Sequence, residues 1–332
     1  MPDSNDRDRT RQAHSLGPQG TIAGVAGPDV ADTTSSARLR AAVDGELERL
    51  LGGRIAGGLY LVATPIGNLG DITLRALAIL HGADVVYCED TRVSQILFSR
   101  YGMQRRLSSY HEHSDAQVRE HILSQLENGQ SVALISDAGT PGISDPGFKL
   151  VRAASLAGHT IVPIPGPSAL LAAVAISGLP IDRFMFVGFL SAKSGQREGQ
   201  LKDLAPIRST LVVYESPHRL AATLADMTRV LGNRQAIVGR ELTKRFEEIV
   251  RGTLDNLAGW SGAAKVRGEI VIAVGPPIET PDDITDDVIA ARLAEALTSA
   301  APSLAAKQVA EALGVPKARV YDIGLRSKRG DS

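Results

Sequence analysis

A single cysteine, Cys88, stands in the 332 residues of this chain, so no internal disulfide is available, and such usage suits a reducing cytoplasm. Aromatic residues make up only 4% of a chain that is 43% hydrophobic, which leaves Val, Ile, Leu and Ala to build the core. No apolar run approaches the ~20 residues that a membrane-spanning helix needs. The opening Asp, Asn and Arg residues fit neither a secretory signal nor an acid-poor transit peptide. A cytoplasmic protein with no membrane attachment is therefore expected. The net charge of −1 gives no general attraction to nucleic acid, so any RNA contact must come from local basic patches. Three signatures are also missing. The first strand is not followed by G-x-G-x-x-G, there is no Walker lysine loop, and no G-x-S-x-G elbow occurs. Their absence disfavours a redox dinucleotide held by its pyrophosphate and a serine hydrolase of that type.

What is present is an alternation of short apolar runs with helical periods. Residues 1 to about 35 are polar, rich in Gly and Pro, and read as disordered, followed by a short helix over 37–51 with Leu39, Val43, Leu47 and Leu51 four apart. Strands are expected at 59–63, 85–87, 132–135 and 160–164, with helices at 72–80, 93–101, 116–126 and 148–154 between them. That order argues a mostly parallel sheet covered on both faces. A second series places strands at 184–187, 210–214, 236–239 and 269–274, the third pairing with 247–251, and a helix over 217–231 with Pro217 in its first turn and Gly232 past its end. The expected organisation is a mostly disordered extension over 1–56, α/β domains over 57–164 and 167–276 joined by Pro165-Gly166-Pro167, and a helix-turn-helix-like extension over 280–326.

The chemistry-bearing residues fall where these strands end. After 132–135 comes Ser136-Asp137-Ala138-Gly139-Thr140-Pro141-Gly142-Ile143-Ser144-Asp145-Pro146-Gly147, richer in Gly, Pro and carboxylate than a connector needs. Open α/β sheets build ligand sites at this edge. Thr64-Pro65-Ile66-Gly67-Asn68-Leu69-Gly70-Asp71 follows the first strand and suits an uncharged or cationic ligand. Cys88-Glu89-Asp90-Thr91-Arg92 follows the second; at most one of the adjacent acids faces the cleft, and Asp90 or Thr91 equally fits a helix N-cap. Tyr110-His111-Glu112-His113-Ser114-Asp115 places two histidines on one face, but no further Cys/His cluster supports a metal; substrate hydrogen bonding and an ordinary loop role stay open. In the second series, Glu215-Ser216-Pro217-His218-Arg219 and Arg240-Glu241-Leu242-Thr243-Lys244-Arg245 end strands. The latter reads either as a solvated charged hairpin or as phosphate contacts plus an acid/base pair.

Taken in order over roughly 57–276, these motifs resemble the tetrapyrrole-methylase-like class of S-adenosylmethionine methyltransferases, and within it the bacterial 16S rRNA ribose methyltransferases. The first ~55 residues have no counterpart in that pattern. The resemblance implies two α/β domains with the methyl donor in the cleft between them, a homodimer, and 2'-O-methylation of cytidine 1402 of 16S rRNA in the 30S subunit. Cofactor positions carried over by the resemblance are Pro65, Gly139, Thr140, Ile143, Ser168, Ala169, Glu215 and the backbone near Arg240. Where the wider class has a glycine-rich first loop and Gly-Asp-Pro, this chain has Thr-Pro-Ile-Gly-Asn-Leu and Gly139-Thr140-Pro141, which moves the expected substrate from porphyrin precursors to ribosomal RNA. Lys244 is expected as general base or alkoxide stabiliser, on the view that local cations depress its pKa, with Glu89, Asp90 and His111 as rivals. Asn68, Thr91, Arg92, His113, His218 and Arg219 are expected to hold the nucleotide. RNA affinity is expected from Arg92, Arg100, Arg105, Arg106, Lys193, Arg197 and Arg240, with the C-terminal basic helices as a further candidate. A tetrapyrrole or corrin methyltransferase and a non-catalytic ribosome-assembly module are the competing readings.

Overall fold

The computed structural model describes residues 33–111, 116–263, 266–277 and 285–329. Five strands, β1 (Gly58–Val62), β2 (Val85–Cys88), β3 (Leu107–Ser109), β4 (Ser131–Ile135) and β5 (Ile161–Ile164), form one sheet in the order β3-β2-β4-β1-β5. Every pairing in it is parallel. β4 is buried along its whole length, as a central strand covered on both faces must be. Two apolar cores lie on the two faces, one around Leu80, Val86 and Phe98, the other around Leu59, Ile122 and Leu150.

The second sheet consists of β6 (Phe184–Phe189), β7 (Thr210–Glu215), β8 (Gln235–Arg240), β9 (Glu248–Thr253) and β10 (Ile270–Val274), in the order β6-β7-β10-β8-β9. Here only β6 and β7 are parallel, and β10 runs antiparallel between β7 and β8. The expected pairing of β8 with β9 is present and antiparallel, from Gln235 opposite Thr253 to Arg240 opposite Glu248. The antiparallel insertion of β10 brings its first residue level with the last residues of its neighbours: Ile270 pairs with Glu215 on one side and with Arg240 on the other. One edge of the sheet thus collects residues far apart in the chain.

The helix Ala169–Ile176, capped by Ser168, packs on this second sheet through Ala173 and Val174. Ile66, from the loop after β1, enters the same core, so an apolar side chain of the first half is built into the second.

Several expectations need correction. The helix after β7 spans Leu220–Leu231 with Arg219 at its N-cap, so Pro217 lies in the preceding turn rather than in the first helical turn; Gly232 does end the helix, at φ 79°. The N-terminal extension is helical over Thr33–Leu51, four residues longer than its apolar spacing indicated. The disorder expected of the chain before it lies outside the described residues. Beyond β10, helices Asp286–Leu297, Pro302–Leu313 and Lys317–Arg329 enclose a small core of their own around Ile289, Val309 and Val320. Gly314, in the left-handed conformation at φ 65°, makes the turn between the last two. Among the described residues no helix is long and apolar enough to cross a membrane.

Candidate active site

The loops after β1, β2, β4 and β5 leave the first sheet at one edge and face the edge of the second sheet where β6, β7 and β8 end and β10 begins. Hydrogen bonds pin the loops to one another. Thr64 and Gly139 exchange backbone bonds of 2.8 and 3.0 Å, forming an isolated antiparallel bridge. The Thr64 hydroxyl donates to the Ser136 carbonyl at 3.0 Å, and the Ser136 hydroxyl donates to the Gly139 carbonyl at 3.2 Å. Of the three non-glycine residues at positive φ among the described residues, Ser144 at 59° lines the larger cavity described below, and Glu241 at 51° and Thr243 at 66° lie in the turn that carries Lys244. Strain of this kind persists where surrounding structure over-determines the backbone, and it clusters at functional sites.

Two adjoining cavities lie between the sheets. The larger, of about 360 Å3, is lined by Gly139, Thr140, Ile143, Ser144, Asp145, Ser168, Ala169, Phe189, Tyr214, Glu215, Ser216, Pro217, Leu242 and Gly268–Val271. The smaller, of about 230 Å3, is lined by Thr64–Gly67, Leu69, Val93, Ser94, Ile96, Leu97, Ile135–Ala138 and Lys244. Ile66, Ala138 and Glu269 border both. Edge-to-face packing of Phe186 and Phe189 on Tyr214, with centroids 4.9 and 5.7 Å away, stiffens one wall of the larger cavity. The Tyr214 hydroxyl accepts the Leu170 N–H at 3.1 Å and ties that wall to the helix behind Ser168.

Of the positions expected for a cofactor, Gly139, Thr140, Ile143, Ser168, Ala169 and Glu215 share the larger cavity, and Pro65 lines the smaller one. The Glu215 carboxylate is fully buried and occupied internally, accepting from the Thr223 hydroxyl at 2.6 Å, the Ser216 N–H at 2.7 Å and the Arg219 guanidinium at 3.2 Å. It shapes the wall, and the Arg219 guanidinium is paired with it. Arg240 lines neither cavity: its guanidinium pairs with Glu248 at 2.9 Å, and Leu242, two residues on, takes the place at the wall.

The expected catalytic residues separate. Lys244 crosses from the second sheet to the loop after β1 and contacts Glu241 at 2.9 Å and Glu269 at 3.1 Å. Burial works against its charge, but hydrogen bonds and charges from these two carboxylates outweigh burial, and the pKa is raised. The expected depression by neighbouring cations is overturned, because the nearest charges are anions. A raised pKa favours the second of the two expected roles, a cation that stabilises developing negative charge, over that of a general base. Asp90 caps the helix Thr91–Arg100, accepting the Arg92 N–H at 2.8 Å and pairing with the Arg92 guanidinium at 2.6 Å. Those contacts lower its pKa to about 2, and its carboxylate is engaged in the cap. Glu89 is pushed upward by burial and by Asp137 and Asp90, against a smaller opposing pull from His111. His111 is exposed at the end of β3, and His113 lies outside the described residues. Asn68 caps the short turn Leu69–Asp71, Thr91 opens its helix, and His218 is exposed; none of them lines either cavity. Arg197, expected at an RNA surface, is 3% exposed and ion-paired with Asp226 at 2.6 Å.

Residues that were not singled out from sequence matter more. Asp145, in the larger cavity, is raised to about 7 by burial, then by Glu89, Asp137 and Glu269, with a Ser136 hydrogen bond acting downward. Asp137 and Asp145 sat within the informative run after β4, so their presence was signalled although their environment was not. Glu269 carried no signal, since only the antiparallel course of β10 brings it here.

Residues 58–258 match the model of the Tetrapyrrole (Corrin/Porphyrin) Methylases. The chain is 51% identical over 278 residues to a protein of Mesorhizobium japonicum named ribosomal RNA small subunit methyltransferase I, covering 82% of this chain and 94% of that one. It is 42% identical over 272 residues to a protein of the same name from Halalkalibacterium halodurans, covering 80% and 94%. Among solved structures, a cobalt precorrin-4 methyltransferase of cobalamin biosynthesis superposes with a TM-score of 0.51 at 21% identity, covering 65% of this chain and 94% of that one; the likeness is one of fold. The chain belongs to the tetrapyrrole methylase family, on the branch whose curated members are called ribosomal RNA small subunit methyltransferase I.

Proposed function

We propose that this protein transfers the methyl group of S-adenosylmethionine to the ribose 2'-oxygen of cytidine 1402 in 16S rRNA, acting on the 30S subunit in the cytoplasm. The observation that carries this reading is the larger cavity, where Gly139, Thr140, Ile143, Ser168, Ala169 and Glu215 meet around one hollow. Its wall joins apolar Ile143, Ala169, Leu242 and Val271 with the carboxyls of Asp145 and Glu269, a donor set that fits an adenosine joined to a cationic sulfonium. Bound there, S-adenosylmethionine supplies an electrophilic methyl group. The relatives' shared name supports small-subunit ribosomal RNA as the acceptor.

The chain's residues then have two tasks. A ribose hydroxyl is a weak acid, so its proton must go to a base as the oxygen–methyl bond forms and the sulfur–methyl bond breaks. Asp145 takes that proton, its carboxyl being matched to neutral pH by burial and three neighbouring acids. The Lys244 ammonium, held by Glu241 and Glu269 at the wall of the adjoining cavity, stabilises negative charge developing on the oxygen. Domain boundaries near 57–164 and 167–276, with the three-helix unit as an extension, belong to the same proposal and are supported by the helix after Ser168 packing on the second sheet. A homodimer also belongs to it: β6 is an edge strand that exposes Phe184, Met185 and Phe189, an apolar edge that a second copy would cover.

The test is transfer of labelled methyl to 30S subunits lacking the modification, followed by mapping of the labelled nucleotide. Label on the 2'-oxygen of cytidine 1402 is expected. Label on a base atom, transfer only to a tetrapyrrole precursor, or subunit binding without donor binding would each overturn the proposal.

A further inference from the structure

The smaller cavity has features that methyl-donor binding does not use. Its floor is apolar, from Leu69, Val93, Ile96 and Leu97, and two of these remain open to solvent, Val93 at 41% and Ile96 at 62% exposure. One wall holds Ser94, a residue only 4% exposed, whose buried hydroxyl has no nitrogen or oxygen partner among the described residues and leans only on the Cys88 thiol. The neighbouring Cys88 thiol donates to the Ser108 carbonyl and is at best a weak acceptor. Another wall holds Asp137. Its Oδ1 accepts the Asp90 N–H at 2.9 Å, which fixes the plane of the carboxyl, while Oδ2 accepts nothing from the described residues. An apolar cavity with one fixed acceptor and one hydroxyl held only by a thiol suits a planar group with a polar edge. Because Ile66, Ala138 and Glu269 border both cavities, a ring seated here lies next to whatever fills the larger one.

We propose that the smaller cavity receives the target base and that Asp137 and Ser94 read it as cytosine. The inference rests on the function proposed above and adds to it the residues that choose the nucleotide. A base can enter such a slot only after leaving its stack, and its apolar faces then find the floor. Cytosine presents an N4 amino donor beside the N3 and O2 acceptors. A carboxylate oxygen accepts from N4, and a hydroxyl donates to N3 or O2. Uracil presents the O4 acceptor where cytosine has its amine, so it meets Oδ2 with a lone pair opposite a negative charge. Lys244 lines the same cavity, packed against Gly67 of the loop after β1.

The experiment uses the full chain, saturating S-adenosylmethionine, and reconstituted 30S subunits carrying cytidine or uridine at position 1402. Initial rates of methyl transfer are measured for each, and donor binding is measured by calorimetry. Wild-type protein is expected to prefer cytidine by roughly ten- to a hundredfold. In Asp137→Asn the side-chain carbonyl stays on the Asp90 N–H and an amide donor replaces Oδ2. The preference is expected to fall at least about tenfold and to turn toward uridine, with donor affinity unchanged. Ser94→Ala is expected to slow transfer to cytidine several-fold, again with donor affinity unchanged. Equal rates on cytidine and uridine subunits for the wild type, or an unaltered ratio in an Asp137→Asn protein that binds donor, would overturn the assignment. If Asp137→Asn loses donor binding, Ser94→Ala decides: an unchanged rate overturns the proposal and a slowed one supports it. Wild-type protein that methylates neither subunit at all would instead remove the function on which this inference stands.

Discussion

Lys244 lies directly over the Cα of Gly67, so close that a Cβ built on Gly67 would overlap the lysine Cγ and come within 2.8 Å of its Cε. Gly67 sits in the loop after β1 at φ +154°, and Lys244 in the strained turn after β8, so the two halves of the molecule meet at this point with no side chain between them.

Gly67→Ala is therefore expected to displace the lysine without emptying the larger cavity, which Gly67 does not line. Misplacement of a catalytic group by about 1 Å costs up to roughly a hundredfold in rate. A loss of about that size in single-turnover methyl transfer, with S-adenosylmethionine affinity kept within a few-fold, is the expected result. Normal turnover in Gly67→Ala would show that the position of Lys244 does not matter.

Lys244→Gln separates a fixed cation from a base. Removal of one preorganised electrostatic contact typically costs ~100- to 1,000-fold, and that loss is expected here. Because its carboxylate partners hold the Lys244 proton on, the wild-type rate should show no titration from this residue between pH 6 and 9. A rate still climbing toward pH 10, abolished by Lys244→Gln, would restore the general-base role.

Asp145 gives two readouts with a defined sign. Its folded pKa of about 7 lies above the ordinary value of 3.8, so between those limits the folded state holds the proton more tightly than the unfolded chain does. Stability contributed by this group is thus greatest below pH 4 and declines as pH rises to about 7, levelling off above. Asp145→Asn should accordingly melt higher than wild type at pH 8 and lose that advantage at pH 4. In activity the opposite limb appears: the wild-type rate should rise through pH 7 as the carboxyl ionises, and Asp145→Asn should flatten that rise at a much lower rate. Melting curves that track the wild type at every pH would refute the raised pKa.

Helix Lys317–Arg329 exposes Lys317, Tyr321 and Arg326, with Arg326 only 3.9 Å from Asp286 and therefore loosely held. If this face meets ribosomal phosphates, Lys317→Glu combined with Arg326→Glu should weaken 30S binding and reduce the slope of log affinity against log salt by about 2. Donor affinity should not change. An unaltered slope would make the three-helix unit a packing element.

Much of the site was legible because open α/β sheets put their functional loops after strands, and strands are marked by short apolar runs. Thr64–Asn68, Glu89–Arg92, Ser136–Gly147 and Glu215–Arg219 are located in this way, and each of these runs also contains residues that hold the loops or helix ends in place, as Thr64, Asp90, Ser136 and Glu215 do. Asp90 illustrates the ambiguity: an Asp before a helix suits both a cap and a catalytic acid, and only its bonds to Arg92 decide. Arg197 was misread because a cation in a polar helix looks like surface, whereas Asp226, 29 residues on, draws it into the interior.

Local order of apolar, glycine and proline residues by itself determined which segments become strands, which loops follow them, and that those loops rather than the helices hold the chemistry. Protonation and accessibility were settled only by the tertiary structure. The charge on Lys244 depends on Glu241 and Glu269, and the proton on Asp145 depends on Glu89, Asp137 and Glu269, groups brought together by a parallel sheet on one side and a reversed strand on the other. Coulomb interactions and burial act through distance in space, and the course of β10 has no local signature in the residues that compose it.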